Sequence, residues 1–292
     1  MSESCKMSVI MPCFNHGEFL PEAVGSVNNI KRNDIELIVV DDGSTDDRTR
    51  KEMDALCTQG TKVIRQENKG LAAARNVGIL ASQGEYLFPL DADDRLRSGW
   101  IDRGIEILDS NPRIGVVYGD AQNFGTRTDR WRVGPFDADR LLYGNFIHAS
   151  GLYRRSVWQQ NSGYDGTMPV QGFEDWDFWL GALEHSWQFA YVPEVFFDYR
   201  RAEQSMISRT AGFEDQVAEF IARKHALLHR QAFLSLLSEW QSLVRERQSV
   251  KWTFRNLREL LKSRLKRRFN KDAAGIRPAE ASEGVSAGPA TI

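Results

Sequence analysis

The stretch ELIVVDDGSTD (36–46) decides the fold. An apolar, β-branched run of strand length stops at two aspartates, a glycine and two hydroxyl residues. That pattern is a buried strand, a tight turn at Gly43 and a helix start that Ser44 and Thr45 can cap. Working outward, the same strand type recurs in MSVIMP (7–12), KVIR (62–65), EYLFPL (85–90) and IGVVY (114–118). Helical spacing fills the gaps. Residues 18–30 put Phe19, Leu20, Ala23, Val24, Val27 and Ile30 on one face, 70–82 are rich in alanine, and 98–110 carry Ile101, Ile105 and Leu108. Strands alternating with helices predict an α/β domain with a mostly parallel sheet, whose ligands bind beyond the carboxyl ends of the strands.

Further along, residues 121–147 break the alternation with Gly125, Gly134 and Pro135, and a small hairpin with loops is expected there. A short strand and helix follow over 149–160, a loop running into a helix over 172–185, and a strand over 191–200. From 213 to 249 the pattern is helical, 251–271 is a basic segment bearing Trp, Phe and Leu, and 273–292 has the composition of a disordered tail. The expected domains are therefore 1–210, a helical extension over 211–272, and the tail. No internal repeat is visible.

Composition excludes several classes. With 292 residues, 41% hydrophobic and 27% charged, the chain is neither disordered throughout nor a disulfide-stapled mini-protein. Three cysteines without C-x-x-C spacing point to a reducing, cytoplasmic setting with no zinc site. No apolar run reaches the length of a membrane span, and MSESCKMSVIMP lacks the pattern of a signal peptide. There is no G-x-S-x-G, no Walker lysine motif and no G-x-G-x-x-G after a strand, which argues against a nucleophile-elbow hydrolase, a P-loop enzyme and a dinucleotide oxidoreductase.

Carboxylates cluster where such a sheet places its ligands. Asp41 and Asp42 follow one strand, and PLDADD (89–94) follows another. Asp91 and Asp93 are two apart, so an extended segment points them the same way. Converging acids repel, and a hard divalent cation, Mg²⁺ or Mn²⁺, relieves them. Solvated acidic loops are the competing explanation. In GFEDWDFW (172–179), Glu174 and Asp175 sit among large aromatics, where desolvation raises a carboxyl pKa and suits a general base, although acids also favour a helix first turn. Arg75 and Asn76 lie on a helix opening at Gly70, either an anion site or a packing helix with polar ends. Arg200, Arg201 and Ser205 lie on a loop after a strand, a diphosphate grip or a solvated basic loop. His148 and His185 lack a ligand-spaced partner and are expected to be structural.

SVIMPCFN (8–15), VVDDGSTD (39–46), GLAAARNVG (70–78), FPLDADD (88–94) and GFEDWDFW (172–179), in this order, resemble the family-2 glycosyltransferases over about residues 6–210. The resemblance implies a GT-A type, Rossmann-like fold with a mixed, mostly parallel sheet. It also implies inverting, metal-dependent transfer of a sugar from a nucleotide-diphosphate sugar, most often a UDP-sugar, to an acceptor hydroxyl. Carried over by position, Pro12, Phe14 and Asn15 lie beside the base, Asp42 contacts base or ribose, and Arg75 is near the nucleotide. Asp93 is then the main metal ligand, and Asp91 is nearer the ribose and metal waters. Asp175 becomes the catalytic base with Glu174 beside it, Trp176 lines the substrate site, and Arg200 and Ser205 close over the diphosphate. A histidine common in that last loop is replaced here by Ala202 or Glu203.

A sugar-nucleotide-binding module without transfer and a sugar nucleotidyltransferase are the competing classes. The second would show a Gly-rich basic phosphate loop near the N-terminus, and residues 8–20 show none. A glycosidase would need two carboxylates flanking one bond. The net charge of −2 gives no sign of a nucleic-acid partner, but it averages two unlike regions. Residues 251–271 hold nine Lys/Arg and one Glu, leaving 29 basic and 39 acidic side chains elsewhere. With Phe254, Leu257, Leu261 and Leu265 at helical spacing and Trp252 and Phe269 near the ends, that segment suits peripheral binding to an anionic membrane, or packing with a solvated basic face. A membrane site would favour a lipid-linked or cell-envelope glycan acceptor.

Overall fold

Seven consecutive buried residues, Met7–Cys13, form strand β1 at the heart of the sheet. With both faces covered, the strand has no polar alternation, as expected for a parallel sheet inside helices. The computed structural model describes residues 5–202, 212–248 and 250–273. In the first part β1 leads to α1 (Leu20–Asn28), β2 (Ile35–Asp41), α2 (Asp47–Thr58), β3 (Lys62–Arg65), α3 (Leu71–Leu80) and β4 (Tyr86–Pro89). After these come β5 (Arg95–Leu96), α4 (Ile101–Ser110), β6 (Ile114–Gly125), β7 (Arg130–Trp131), α5 (Ala138–Tyr143), β8 (Leu152–Arg154) and α6 (Arg155–Gln160). The remaining elements are α7 (Glu174–Glu184), β9 (Gln188–Arg201), α8 (Glu214–Lys224), α9 (Ala226–Gln248) and α10 (Val250–Ala273). The tail beyond 273 and Ser205 lie outside the described residues.

The nine-stranded sheet runs β3-β2-β1-β4-β8-β6-β9-β5, with β7 paired to β6. β1 is parallel to β2, with Cys13 opposite Asp41, and parallel to β4, with Ile10 opposite Pro89. β8 runs antiparallel to both β4 and β6, whereas β6 and β9 are parallel. This is the expected α/β class with a mixed, mostly parallel sheet. The loops after β1, β2 and β4 therefore open on one edge, and they carry residues 14–19, 42–46 and 90–94.

Local chemistry explains the joints. α2 is capped by Asp46, which accepts the Thr49 N–H at 2.8 Å, rather than by Ser44 or Thr45 as the sequence suggested. Those two are engaged by Asn15, whose backbone is left-handed (φ 56°) and whose side chain accepts the Thr45 N–H at 2.8 Å. Gly78 lets α3 lie flat on the sheet, since a Cβ there would come within 2.5 Å of the Ile10 side chain. Deeper in, Trp100 stacks on Phe196 at 3.8 Å and donates its indole N–H to the Phe196 carbonyl at 2.9 Å.

Contacts divide the chain into two compact units, residues 1–230 and 231–292. In the first, α8 is fastened to α7 by Lys224 and His225, both paired with Asp177. In the second, the described part is helical, with Phe233, Leu236, Trp240 and Leu243 of α9 and Phe254, Leu257 and Leu261 of α10 exposed. Among the described residues no helix is long and apolar enough to cross a membrane. Cys5, Cys13 and Cys57 are free thiols.

Candidate active site

The loop after β4 is not extended. Asp94 donates its N–H to the Asp91 carbonyl at 3.0 Å, closing a turn. A turn brings residues i and i+3 together, so Asp91 meets Asp94 as well as influencing Asp93. Asp91, Asp94 and His148 each offer a ligand atom, all within 4.8 Å of one another. Asp93, expected as the main metal ligand, is outside this group. Asp94 and His148 were missed for identifiable reasons: the extended reading of D-x-D excluded Asp94, and no linear spacing connects His148 to residues 91–94.

These carboxylates have too little compensating charge. Asp94 is fully buried, and its Oδ1 accepts the Arg200 N–H at 2.8 Å while Oδ2 has no partner. Burial, then the charges of Asp93 and Asp91, pushes the Asp94 carboxyl far up. Burial and Asp91 likewise raise Asp93. Burial is the strongest influence on Asp91 and would raise it too, but the Arg75 charge and hydrogen bond together with the neighbouring His148 and His16 outweigh it and hold Asp91 low. An unpartnered buried oxygen among repelling acids fits a hard divalent cation. His148 fits less well as a ligand. Burial lowers it to about 4, so it is neutral at pH 7. Its Nδ1 accepts the Ser150 N–H at 3.1 Å, which assigns the ring proton to Nε2, the atom 3.9 Å from Asp91. His148 is thus a donor toward Asp91 unless that bond to Ser150 is given up.

Asp175 lies in the first turn of α7 beside Glu174. Burial, reinforced by the Glu174 charge, pushes its carboxyl up to about 7, against the opposing influence of Arg75 and an Asn145 hydrogen bond. Arg75 joins the two acidic loops, reaching Asp91 at 3.0 Å and Glu174 at 3.2 Å. Asp91, Arg75, Glu174 and Asp175 are therefore brought together.

Other expected site residues are placed differently. Asp42 anchors the start of α3: its oxygens accept from Gln66 Nε2 at 2.6 Å, Lys69 N–H at 2.9 Å and Gly70 N–H at 2.9 Å. Pro12 is buried in β1, while Phe14 is 42% exposed at the strand's carboxyl end. The Trp176 indole is buried and donates to the Leu141 carbonyl at 2.6 Å, so it presents no free ring face or donor to a substrate. The Arg200 guanidinium is already engaged. It lies 4.3 Å from each of the Phe19 and Phe124 ring centroids, donates to the Asp93 carbonyl at 2.8 Å and pairs with Glu22. These contacts lock the 91–94 turn.

Residues 8–170 match the family described as "Glycosyl transferase family 2". A glycosyltransferase named GlyG from Streptococcus pneumoniae is 37% identical over 118 residues, covering 38% of this chain and 39% of that protein. A PGL/p-HBAD biosynthesis glycosyltransferase from Mycobacterium bovis is 31% identical over 175 residues, covering 59% of this chain and 67% of the relative. The chain thus spans well under half of the first of these relatives. The crystal structure of Staphylococcus aureus TarS residues 1–349 in complex with UDP-GlcNAc superposes with a TM-score of 0.61 at 20% identity, over 76% of this chain and 66% of that one. That likeness carries the fold, GT-A in type, and the match over 8–170 carries the family: the chain belongs to the family-2 glycosyltransferases.

Proposed function

We propose that this chain transfers a sugar from a UDP-sugar to an acceptor hydroxyl with inversion, with Asp175 as general base. The observation that carries this is the Asp175 carboxyl, pushed up to about 7 beside an acidic cluster suited to a cation. A base poised near the working pH is the efficient one. The relatives' glycosyltransferase activity supports sugar transfer, and the UDP-GlcNAc bound to the TarS neighbour supports the donor class.

In this reading Asp175 takes the proton of the acceptor hydroxyl as its oxygen attacks the anomeric carbon. The bond from that carbon to the diphosphate oxygen breaks, and the configuration inverts in a single displacement. Asp91 and Asp94 are the residues that would hold Mn²⁺ or Mg²⁺, whose chemistry when bound is to neutralise charge on a departing diphosphate. Phe14, exposed beyond β1, and Asn15 provide the surface for the base, and Pro12 fixes the strand beneath them. Asp42 orders the loop at 66–70 around the nucleotide. Ser205, outside the described residues, is proposed as a diphosphate contact.

The acceptor proposed is a lipid-linked or cell-envelope glycan. The basis is the basic segment 251–271, nine Lys/Arg against one Glu, with Phe254, Leu257 and Leu261 exposed. Such a helix binds an anionic cytoplasmic leaflet through charge and apolar contact together. A thermal-shift panel of nucleotide diphosphates and their sugars, with and without Mn²⁺, tests the donor. UDP and UDP-sugars should stabilise the chain, and more so with Mn²⁺. No response to any nucleotide would overturn the proposal.

A further inference from the structure

Arg75 is a formal charge placed inside the fold, its side chain 3% exposed. Two of its nitrogens are taken by carboxylates, Nη2 by Asp91 at 3.0 Å and Nη1 by Glu174 at 3.2 Å, and Nε is buried without a partner. The guanidinium lies 5.5 Å from the Tyr164 ring centroid. Asn76 continues the clamp. Its Oδ1 accepts the Trp158 indole N–H at 2.9 Å and the Tyr164 N–H at 2.8 Å, and its Nδ2 donates to the Tyr164 carbonyl at 2.8 Å. One turn of α3 thus ties down the 91–94 turn, the segment around Tyr164 and the start of α7.

Resting on the glycosyl-transfer reading above, we infer that Arg75 is a positioning residue for the Glu174–Asp175 pair rather than a contact to the nucleotide. Adjacent buried acids repel, and a cation bound to one of them decides which member exchanges a proton. Arg75 holds the Glu174 side chain in place, aided by the Gly172 N–H on its other oxygen at 2.7 Å. Asp175 is left as the member free to take a proton. A diphosphate grip would need donors turned toward solvent, and Arg75 has none to offer. Lysine would keep the charge but, as a point cation, not the fork that spans both acids.

The charged and titratable groups facing Asp175 are Glu174 on its own helix, Arg75 on α3 and Tyr164, with Asn145 adding a neutral hydrogen bond. Removing Arg75 leaves only like charge beside the base. The test is the pH profile of kcat/KM for UDP-sugar turnover in the full chain and in Arg75→Lys, Arg75→Gln and Arg75→Gln/Glu174→Gln. UDP affinity by calorimetry and thermal unfolding are measured on the same samples. Arg75→Gln should move the acid limb up by about one pH unit and lower kcat by about 100-fold, magnitudes typical of a lost charge partner and a mis-set base. The double variant should bring the limb back. Arg75→Lys should keep the limb near its place, lower kcat about tenfold for want of the fork, and, like Arg75→Gln, leave UDP affinity within about twofold. A folded Arg75→Gln with an unshifted limb, or a loss of UDP affinity with kcat intact, overturns the inference. Carboxyl NMR titration of Asp175 needs no turnover. If the unaltered chain neither transfers nor hydrolyses sugar nucleotide, the reading of the reaction fails. An Asp175 titration that still shifts in Arg75→Gln would then keep Arg75 as the residue setting the pair, and an unchanged one would dismiss it.

Discussion

The Asp94 N–H donates to the carbonyl of Asp91 at 3.0 Å, and this turn selects which carboxylates of DADD confront each other. Asp91 and Asp94 face one group with His148 beside them.

Asp94→Asn removes an unpartnered buried oxygen from a repelling pair while keeping the acceptor used by Arg200. Without divalent cation, and at a pH high enough to ionise Asp94, this variant should therefore melt above the unaltered chain. Mn²⁺ at a hundredfold excess over its Kd should stabilise the unaltered chain by about 2.7 kcal/mol and Asp94→Asn by little. Asp93→Asn and His148→Gln should keep most of the gain. Calorimetric melts with and without Mn²⁺ check this, and an equal gain in all four proteins would contradict it.

The Asp175 carboxyl is pushed up to about 7 by burial and Glu174. As a base it works only when ionised, so kcat/KM should rise with pH through about 7 and level above it. The sign is set by the acid: below that pH the carboxyl holds its proton and cannot accept another. Initial rates from pH 5.5 to 8.5 in a constant-ionic-strength buffer measure it, and a flat profile would contradict it.

His225, 1% exposed, lies 3.0 Å from Asp177 and 3.1 Å from Glu184. His225→Ala deprives Asp177 of a buried hydrogen-bond partner, while the Nδ1 beside Glu184 makes no hydrogen bond to lose. Leaving a buried acceptor without its hydrogen-bond partner costs about 1–3 kcal/mol, softened here because Lys224 still holds Asp177 at 2.8 Å. Urea unfolding should show a loss of about 2 kcal/mol, in keeping with a buried carboxylate left under-satisfied, and a loss under 0.5 kcal/mol would contradict it.

Anionic vesicles should retain the full chain and release a chain ended at residue 250. Retention should fall steeply with salt, since the attraction is screened within about 10 Å at 0.1 M. Equal sedimentation of both chains with phosphatidylserine vesicles would contradict the membrane proposal.

Much of the sheet was legible. β1, β2, β4 and β6 are apolar runs because they lie inside the sheet under helices, and that leaves a mark in the sequence, whereas the edge strand β3 shows only its Val63–Ile64 pair. The acids after β2 and β4 were legible for the same reason, since strand ends locate the ligand edge. The geometry among them was not. Period-two reasoning holds in extended chain, and the backbone bond from Asp94 to Asp91 replaces it with i to i+3 adjacency. His148 and Glu174 reach the site through tertiary contact, Arg75 meeting Glu174 99 residues further on. Trp176 looked available because aromatics beside acids often line sugar sites, but its indole N–H is held by Leu141 and its ring faces the interior. The antiparallel β8, inserted between β4 and β6, follows from no local pattern in LYR.

The central claim is tested most directly by UDP release from UDP-sugars in the presence of acceptor alcohols, comparing the unaltered chain with Asp175→Asn. The account predicts turnover in the former and a loss of about 1,000-fold in kcat in the latter, within the range for a general base, with UDP affinity unchanged. Turnover in Asp175→Asn close to that of the unaltered chain would contradict it.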